Sequence, residues 1–188
     1  MSDVPSLLGL IPANPQLIVS KKNVPAANLK EFIAWLKANE PKAAAGTAGA
    51  GSASHIAEIY FQKITGTRFT MVPYRGTGPA MNDLVAGQID LILDRASNSM
   101  AQVRAGTIKA YAVTAKTRLP SLPEIPTVDE AGAPGLHISV WYGLWVPKGT
   151  PKDIVARLND AAITTMADPK VRTRMADFGL EVPPPGGR

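Results

Sequence analysis

The run Gly46-Thr47-Ala48-Gly49-Ala50-Gly51-Ser52-Ala53-Ser54-His55 constrains this chain more than any other stretch. It follows the small residues Ala43 to Ala45 and precedes Ile56, Ile59, Tyr60 and Ile64 at helical spacing. Its glycines permit a tight turn and its serines can cap a helix, so the stretch reads as strand, turn and helix in succession. The first N–H groups of such a helix have no intrahelical acceptor and sit at the positive end of the helix dipole. With the Ser52 and Ser54 hydroxyls beside them, they suit a small anion, a carboxylate above all. The same residues also have a plain role, since Ser52 would cap a helix with no ligand present. A dinucleotide fits poorly. The spacing Gly46, Gly49, Gly51 is not G-x-G-x-x-G, and no acidic residue ends the next apolar strand near Val72.

The rest of the chain repeats this unit. Gln16 to Ser20 reads as a short strand, and Asn28 with Glu31 three residues on forms a capping box. Leu29, Phe32, Ile33 and Leu36 give that helix one apolar stripe, and Pro41 stops it. The Ser52 to Thr65 helix ends at Gly66, a residue suited to the left-handed position just past a helix. Phe69 to Val72 is β-rich and leads into the loop Pro73 to Pro79, after which Met81, Leu84 and Val85 form a buried helix face ended by Gly87. Ile89 to Leu93 is a near-continuous apolar strand with Asp94 at its C-terminal end. Met100 and Val103 mark a short helix, and Ile108 to Thr114 another strand. A Pro-rich connection, Leu119 to Pro134, contains a second capping box at Thr127 and Glu130. His137 to Val146 is a long apolar strand, and Thr150-Pro151 opens a helix carrying Ile154, Leu158 and Met166. The last helix, Pro169 to Phe178, precedes a tail, Pro183 to Gly187, that reads as a frayed end.

Alternating strands and helices predict an α/β fold, a mainly parallel sheet flanked by helices. Ligands of such sheets bind beyond the strand C-termini. Three features fall there together: the Gly46 to His55 turn, the Tyr74-Arg75-Gly76 loop and Asp94.

Composition narrows the function. At 188 residues, with 45% apolar and 19% charged, the chain can bury one good core or a core and part of a second. Its net charge of +5 does not point to nucleic acid, because the cations are scattered, few aromatics lie among them and Lys21-Lys22 is the only basic pair. No stretch is long enough to span a bilayer, and Met1 to Leu10 lacks the charged and apolar regions of a signal peptide. With no cysteine and only His55 and His137, neither thiol chemistry nor a metal cluster is expected, and no cofactor is called for. Ser52 does not sit in G-x-S-x-G. An α/β enzyme acting on a carboxylate would need His55, Asp94 and a serine within hydrogen-bond reach of one another.

The order of motifs resembles a known family, the periplasmic solute-binding proteins of tripartite tricarboxylate transporters, or Bug proteins. The resemblance rests on Ala48 to His55, Val72-Pro73-Tyr74-Arg75-Gly76, Leu84-Val85-Ala86-Gly87-Gln88-Ile89-Asp90 and Asp94. It continues through Val103-Arg104-Ala105-Gly106, Tyr111-Ala112-Val113-Thr114, Leu122 to Gly132 and Trp141-Tyr142-Gly143-Leu144, from about Leu7 to about Val182.

The resemblance implies a two-lobed, Venus-flytrap protein of the type II periplasmic-binding class. Such a protein captures a small mono-, di- or tricarboxylate without catalysis and delivers it to a membrane permease, so periplasmic localisation is implied. It gives ligand-binding roles to Thr47, Ala48, Gly51, Ser52 and Ser54, with His55, Tyr74, Arg75 and Gly76 around them and Asp94 fixing water or a polar group. Asp90 is assigned to structure, and Trp141 to a buried hinge. Residues 18–127 match the family's second lobe, while 1–17 and 128–188 would form the crossover and part of the first. That is shorter than the family pattern, so a truncated chain is expected, and with it a homodimer or domain swap through exposed apolar surface and an open sheet edge. A fragment that binds little and a sensory module feeding a partner protein are the other outcomes.

Overall fold

The computed structural model describes residues 6–181, with side-chain surroundings from residue 12 onward. The Pro183 to Gly187 tail lies outside the described residues. The strands are β1 (Ser6–Lys21), β2 (Ala44–Thr47), β3 (Thr70–Pro73), β4 (Leu91–Arg95), β5 (Ile108–Val113) and β6 (Ser139–Val146). The helices are α1 (Leu29–Ala38), α2 (Ala53–Thr65), α3 (Thr77–Val85), α4 (Ala96–Arg104), α5 (Lys152–Ala167) and α6 (Pro169–Asp177).

The strands line up as β3-β2-β4-β1-β5, with β6 pairing β1 beside that path. β2 is parallel to both β3 and β4. β1 is antiparallel to β4 and to β5, so those two run the same way with β1 reversed between them. The sheet is therefore mixed, four strands in one direction and β1 against them. The alternation of elements could not show this, because β1 takes its direction from pairing with strands more than seventy residues away in sequence.

β1 also begins earlier than Gln16. Its first half pairs with β6, from Ser6 opposite Val146 to Pro15 opposite Ser139, and its second half enters the main sheet from Gln16 onward. Pro12 and Pro15 hide this in the sequence, since proline cannot donate to a ladder. The register shifts between Ile11 and Asn14, which accommodates Pro12.

Both faces of the main sheet are covered. On one, Ile18, Leu91, Leu93 and Tyr111 meet α1 through Leu29, Phe32 and Leu36, and α2 through Ala57 and Phe61. Phe32 stacks on Tyr111 with ring centres 4.4 Å apart. On the other, Leu17, Val19, Ile92 and Val113 meet Ala80, Met81 and Leu84 of α3 and Ala96 and Met100 of α4.

The caps follow the sequence chemistry. Asn28 Oδ1 accepts from the Glu31 N–H at 2.9 Å, and Glu31 in turn accepts from Asn28 Nδ2 and from the Ala27 N–H, both at 2.8 Å. Ser52 caps α2, and Gly66 closes it at φ 65°. Thr127 and Glu130 make their reciprocal bonds at 2.8 and 3.3 Å, but these close a turn and no helix follows.

Three expectations are corrected. The buried stripe of α2 is Ser54, Ala57, Glu58 and Phe61, while Ile56, at 55% exposure, Ile59 and Tyr60 face outward. Val85 of α3 is exposed, because Ala80, Met81 and Leu84 already fill the contact with the sheet. Trp141, expected in a buried hinge, is 59% exposed, on a strand that has only β1 as a partner among the described strands.

Candidate functional site

The site begins where two strands part. β2 pairs with β4 at Ala45 and Leu91 alone, and beyond that rung the strands diverge. From β2 the chain crosses by α2 to β3 on one side, then returns by α3 to β4 on the other. This reversal is the switch point at which open α/β sheets bind their ligands. Gly46 lets the layers close below it: a Cβ there would come 2.5 Å from Ile89 Cδ1 and 3.1 Å from the Ala80 Cβ.

Above the opening, the Gly-rich turn is held largely by its own bonds. The Ala48 N–H donates to Ser54 Oγ at 2.9 Å, the Gly49 N–H to Thr47 Oγ1 at 3.1 Å, and the Gly51 N–H to His55 Nδ1 at 3.1 Å. Ser52 and Ser54 hydroxyls lie 3.1 Å apart. Gly49 and Gly51 take positive φ values of 105° and 76°, which L side chains adopt only with strain. The Ala48 and Gly51 donors assigned to a ligand are therefore engaged within the turn. The α2 end presents instead the first-turn N–H groups of Ala53 and Ser54, which helix geometry leaves without an intrahelical acceptor.

The neighbouring loop supplies a second helix end. The Thr47 carbonyl accepts from the Tyr74 N–H at 2.9 Å and so ties the two loops together. Gly76, at φ 141°, precedes α3 with no side-chain cap bond, leaving the Thr77 and Gly78 N–H groups to face outward from the helix end. Arg75 is exposed. Tyr74 turns away to donate to Asp83 Oδ2 at 2.6 Å, a bond that holds the phenol proton and pushes its pKa up to about 12.

Asp94 is fully buried, at 0% exposure, under the start of α4. Its Oδ2 accepts from Asn98 Nδ2 at 2.5 Å and from Ser99 Oγ at 2.8 Å. Asn98 Nδ2 also reaches Thr77 Oγ1 at 3.2 Å, linking the starts of α3 and α4. Asp90 is structural, accepting from the Ala44 N–H at 2.7 Å and pairing with Lys21 at 2.7 Å.

Several polar residues at the crossing carry no motif. Asn14 Nδ2 donates to Ser97 Oγ at 2.7 Å. The Gln16 N–H donates to Thr114 Oγ1 at 2.8 Å, while Arg95 reaches the Tyr142 hydroxyl of β6 at 3.4 Å. Glu58, buried on α2, accepts from the Leu93 N–H at 3.4 Å. Burial, partly offset by that bond, pushes its carboxyl well above the ordinary range. Glu58 did have a signal, since Ser54, Ala57, Glu58 and Phe61 stand at i, i+3, i+4 and i+7.

With two helix N-termini and their hydroxyls around one switch point, the arrangement can hold an anion by backbone donors. The model of the Tripartite tricarboxylate transporter family receptor (TctC) matches residues 4–186. The chain belongs to this family. A UPF0065 protein from the TAR-I ttuE-ttuC' intergenic region of Agrobacterium vitis is 41% identical over 174 residues, 93% of this chain and 50% of the relative. The periplasmic binding protein BugD superposes with TM-score 0.87 at 40% identity, covering 95% of this chain and 60% of BugD. MatC of Rhodopseudomonas palustris, solved with bound malate, gives TM-score 0.86 at 36% identity, covering 96% and 62%. The fold is thus that of the periplasmic binding proteins. The chain spans about half the length of the curated relatives it matches.

Proposed function

We propose that this chain captures a small mono-, di- or tricarboxylate at the opening between β2 and β4, without catalysis, and serves a tripartite tricarboxylate-type permease from the periplasm. The observation that carries this reading is the convergence of the α2 and α3 N-termini on the switch point, with the Ser52 hydroxyl at one of them. Dipole and unpaired N–H groups there favour a carboxylate, and the exposed Arg75 adds weak attraction. Malate bound to MatC, a relative of the same fold, supports the ligand class.

Thr47, Ala48, Gly51 and Ser54 build the turn in this reading, and His55 fixes it through Gly51. Tyr74 and Gly76 set the second loop, while Asp94 acts through Asn98. The same bonds argue against an enzyme, because His55 Nδ1 and Asp94 Oδ2 are both committed to structural partners. Residues 18–127 form the ligand-binding lobe on this reading, and the burial of Ala133 and Leu136 in the same core supports carrying it to about residue 136.

Thermal unfolding against a panel of mono-, di- and tricarboxylates, malate included, tests the reading. A ligand at a hundredfold excess over its Kd adds about 2.7 kcal/mol, or roughly 5 to 11 °C in Tm for a chain of this size. Absence of a shift with every acid sinks it, and turnover of any acid, followed by proton NMR, would favour an enzyme.

A further inference from the structure

Arg95 ends β4, on one side of the opening, while the starts of α2 and α3 follow β2 and β3 on the other. Leu91 and Leu93 pack with Ala57 and Phe61 of α2, so alternation along the strand puts Arg95 on the α2 face as well. Its height follows from one bond, the Leu93 N–H to Glu58 Oε1 at 3.4 Å. From there Ser54 lies one turn back along α2, about 6 Å, and Arg95 two residues on along β4, about 6.6 Å. Both therefore stand at the ligand end of the sheet.

Three local preferences run against an arginine at this position. It is half-buried, yet among the described residues it makes no ion pair, and its side chain donates one hydrogen bond, from Nη1 to the Tyr142 hydroxyl at 3.4 Å. Other half-buried cations of the main sheet are better served. Lys21 pairs with Asp90 at 2.7 Å, and Lys109 donates to the Val24 and Ala26 carbonyls at 2.7 and 3.2 Å. Arg95 is also the N-cap residue of α4, which has no side-chain cap bond, because a guanidinium cannot accept from the first-turn N–H groups. A cation at this positive end of the helix dipole is disfavoured as well. Gln16, directly opposite on β1, keeps a buried Oε1 without a partner, so the guanidinium is not engaged there.

One anion reverses all three. A carboxylate beside Arg95 pairs its charge, accepts two parallel bonds from its planar fork and gains from the α4 dipole. We propose that Arg95 is a specificity residue of the anion site: it takes the second carboxylate of a di- or tricarboxylate whose first lies at the α2 and α3 starts. Tyr142 accepts from Nη1, which leaves its own O–H to donate to the same carboxylate.

A monocarboxylate occupies one side of the opening and leaves the Arg95 donors unpaired. Selection is thus for two anionic ends, more than for the chain between them. The role rests on carboxylate capture at this opening, and it narrows the ligand class.

Titration calorimetry tests it with pairs in which a methyl replaces one carboxylate: malate with 2-hydroxybutanoate, succinate with butanoate, and adipate with hexanoate. At least one dicarboxylate is expected to bind the parent chain about 10- to 100-fold more tightly than its methyl counterpart, the range of a charge-assisted pair. Arg95→Gln is expected to abolish that preference by weakening the dicarboxylate alone, and Arg95→Lys, which keeps the charge without the fork, to retain part of it. In the unliganded chain, Arg95→Gln is expected to hold or raise the urea midpoint, because it relieves a half-buried charge at a positive helix end. Equal binding within every pair, a preference that survives Arg95→Gln, an equal loss for both members of a pair, or a lowered midpoint overturns the proposal and leaves carboxylate capture standing. A parent chain that binds none of these acids ends carboxylate capture and the Arg95 role together.

Discussion

The two ends of the chain use the same amphipathic vocabulary with opposite results. Helices α1 to α4 each set buried residues against a sheet covered on both faces. α5 is the longest helix, with 16 residues, yet neither it nor α6 has a buried residue. Ile154, Leu158 and Ile163 of α5 are exposed, as are Trp141, Leu144 and Trp145 of β6. The difference teaches that an apolar stripe stabilises a helix only where a second layer meets it, because helices owe most of their stability to packing. The first region carries its own second layer. The second leaves large apolar side chains of β6 and α5 exposed, of a kind that marks interfaces where they gather.

Core truncation breaks the comparison most forcefully. Phe61 and Phe32 are among the largest fully buried side chains. Phe61→Ala is expected to cost about 3 to 5 kcal/mol, the transfer loss plus the cavity. Ile163→Ala, on an exposed side chain, should stay within about 0.5 kcal/mol. Urea unfolding of the two variants measures both. Similar midpoints would mean that α5 is buried in solution.

Association is the next effect in size. The β6 and α5 surface is proposed to meet a second copy of this chain, giving a dimer. Light scattering after size exclusion should show it at micromolar concentration, and Trp141→Ser with Ile163→Asp should shift it to monomer without lowering the stability of the first region. A parent chain that is monomeric throughout this range ends the proposal.

Legibility in the sequence follows the same divide. Local chemistry was readable: the Gly-rich turn, the Ser52 and Asn28 caps and the Gly66 stop each depend on a few neighbouring residues. Long-range pairing was not. The reversal of β1 between β4 and β5 joins residues more than seventy positions apart, and its prolines disguised a strand of 16 residues. At the site, the loops were visible because glycine and serine have specific backbone roles. Asp94 stood out at the end of an apolar strand, but Glu58 was harder, since the Leu93 N–H reaches it only in the folded chain, as the Asn14–Ser97 and Gln16–Thr114 bonds also form only there. α2 also misled, because its larger apolar residues, Ile56, Ile59 and Tyr60, face outward while small Ala57 and acidic Glu58 face the sheet.

The smallest expected effect sharpens the comparison most finely. Asn28 caps α1 by accepting from the Glu31 N–H, and Asp168 caps α6 by accepting from the N–H groups of Lys170 and Val171 at 2.7 and 3.2 Å. Both caps are of a kind whose loss costs about 1 kcal/mol of helix stability. α1 is joined to the sheet through Leu29, Phe32 and Leu36, so its ends cannot loosen without weakening the cooperative core. Asn28→Ala should therefore lower global stability by about 1 kcal/mol in urea unfolding. α6 has no buried residue to transmit the loss. Asp168→Ala should leave the midpoint in place and instead speed hydrogen exchange in the first turn of α6, because opening there is local. Equal shifts in the two midpoints would show that α6 belongs to the same cooperative unit as α1.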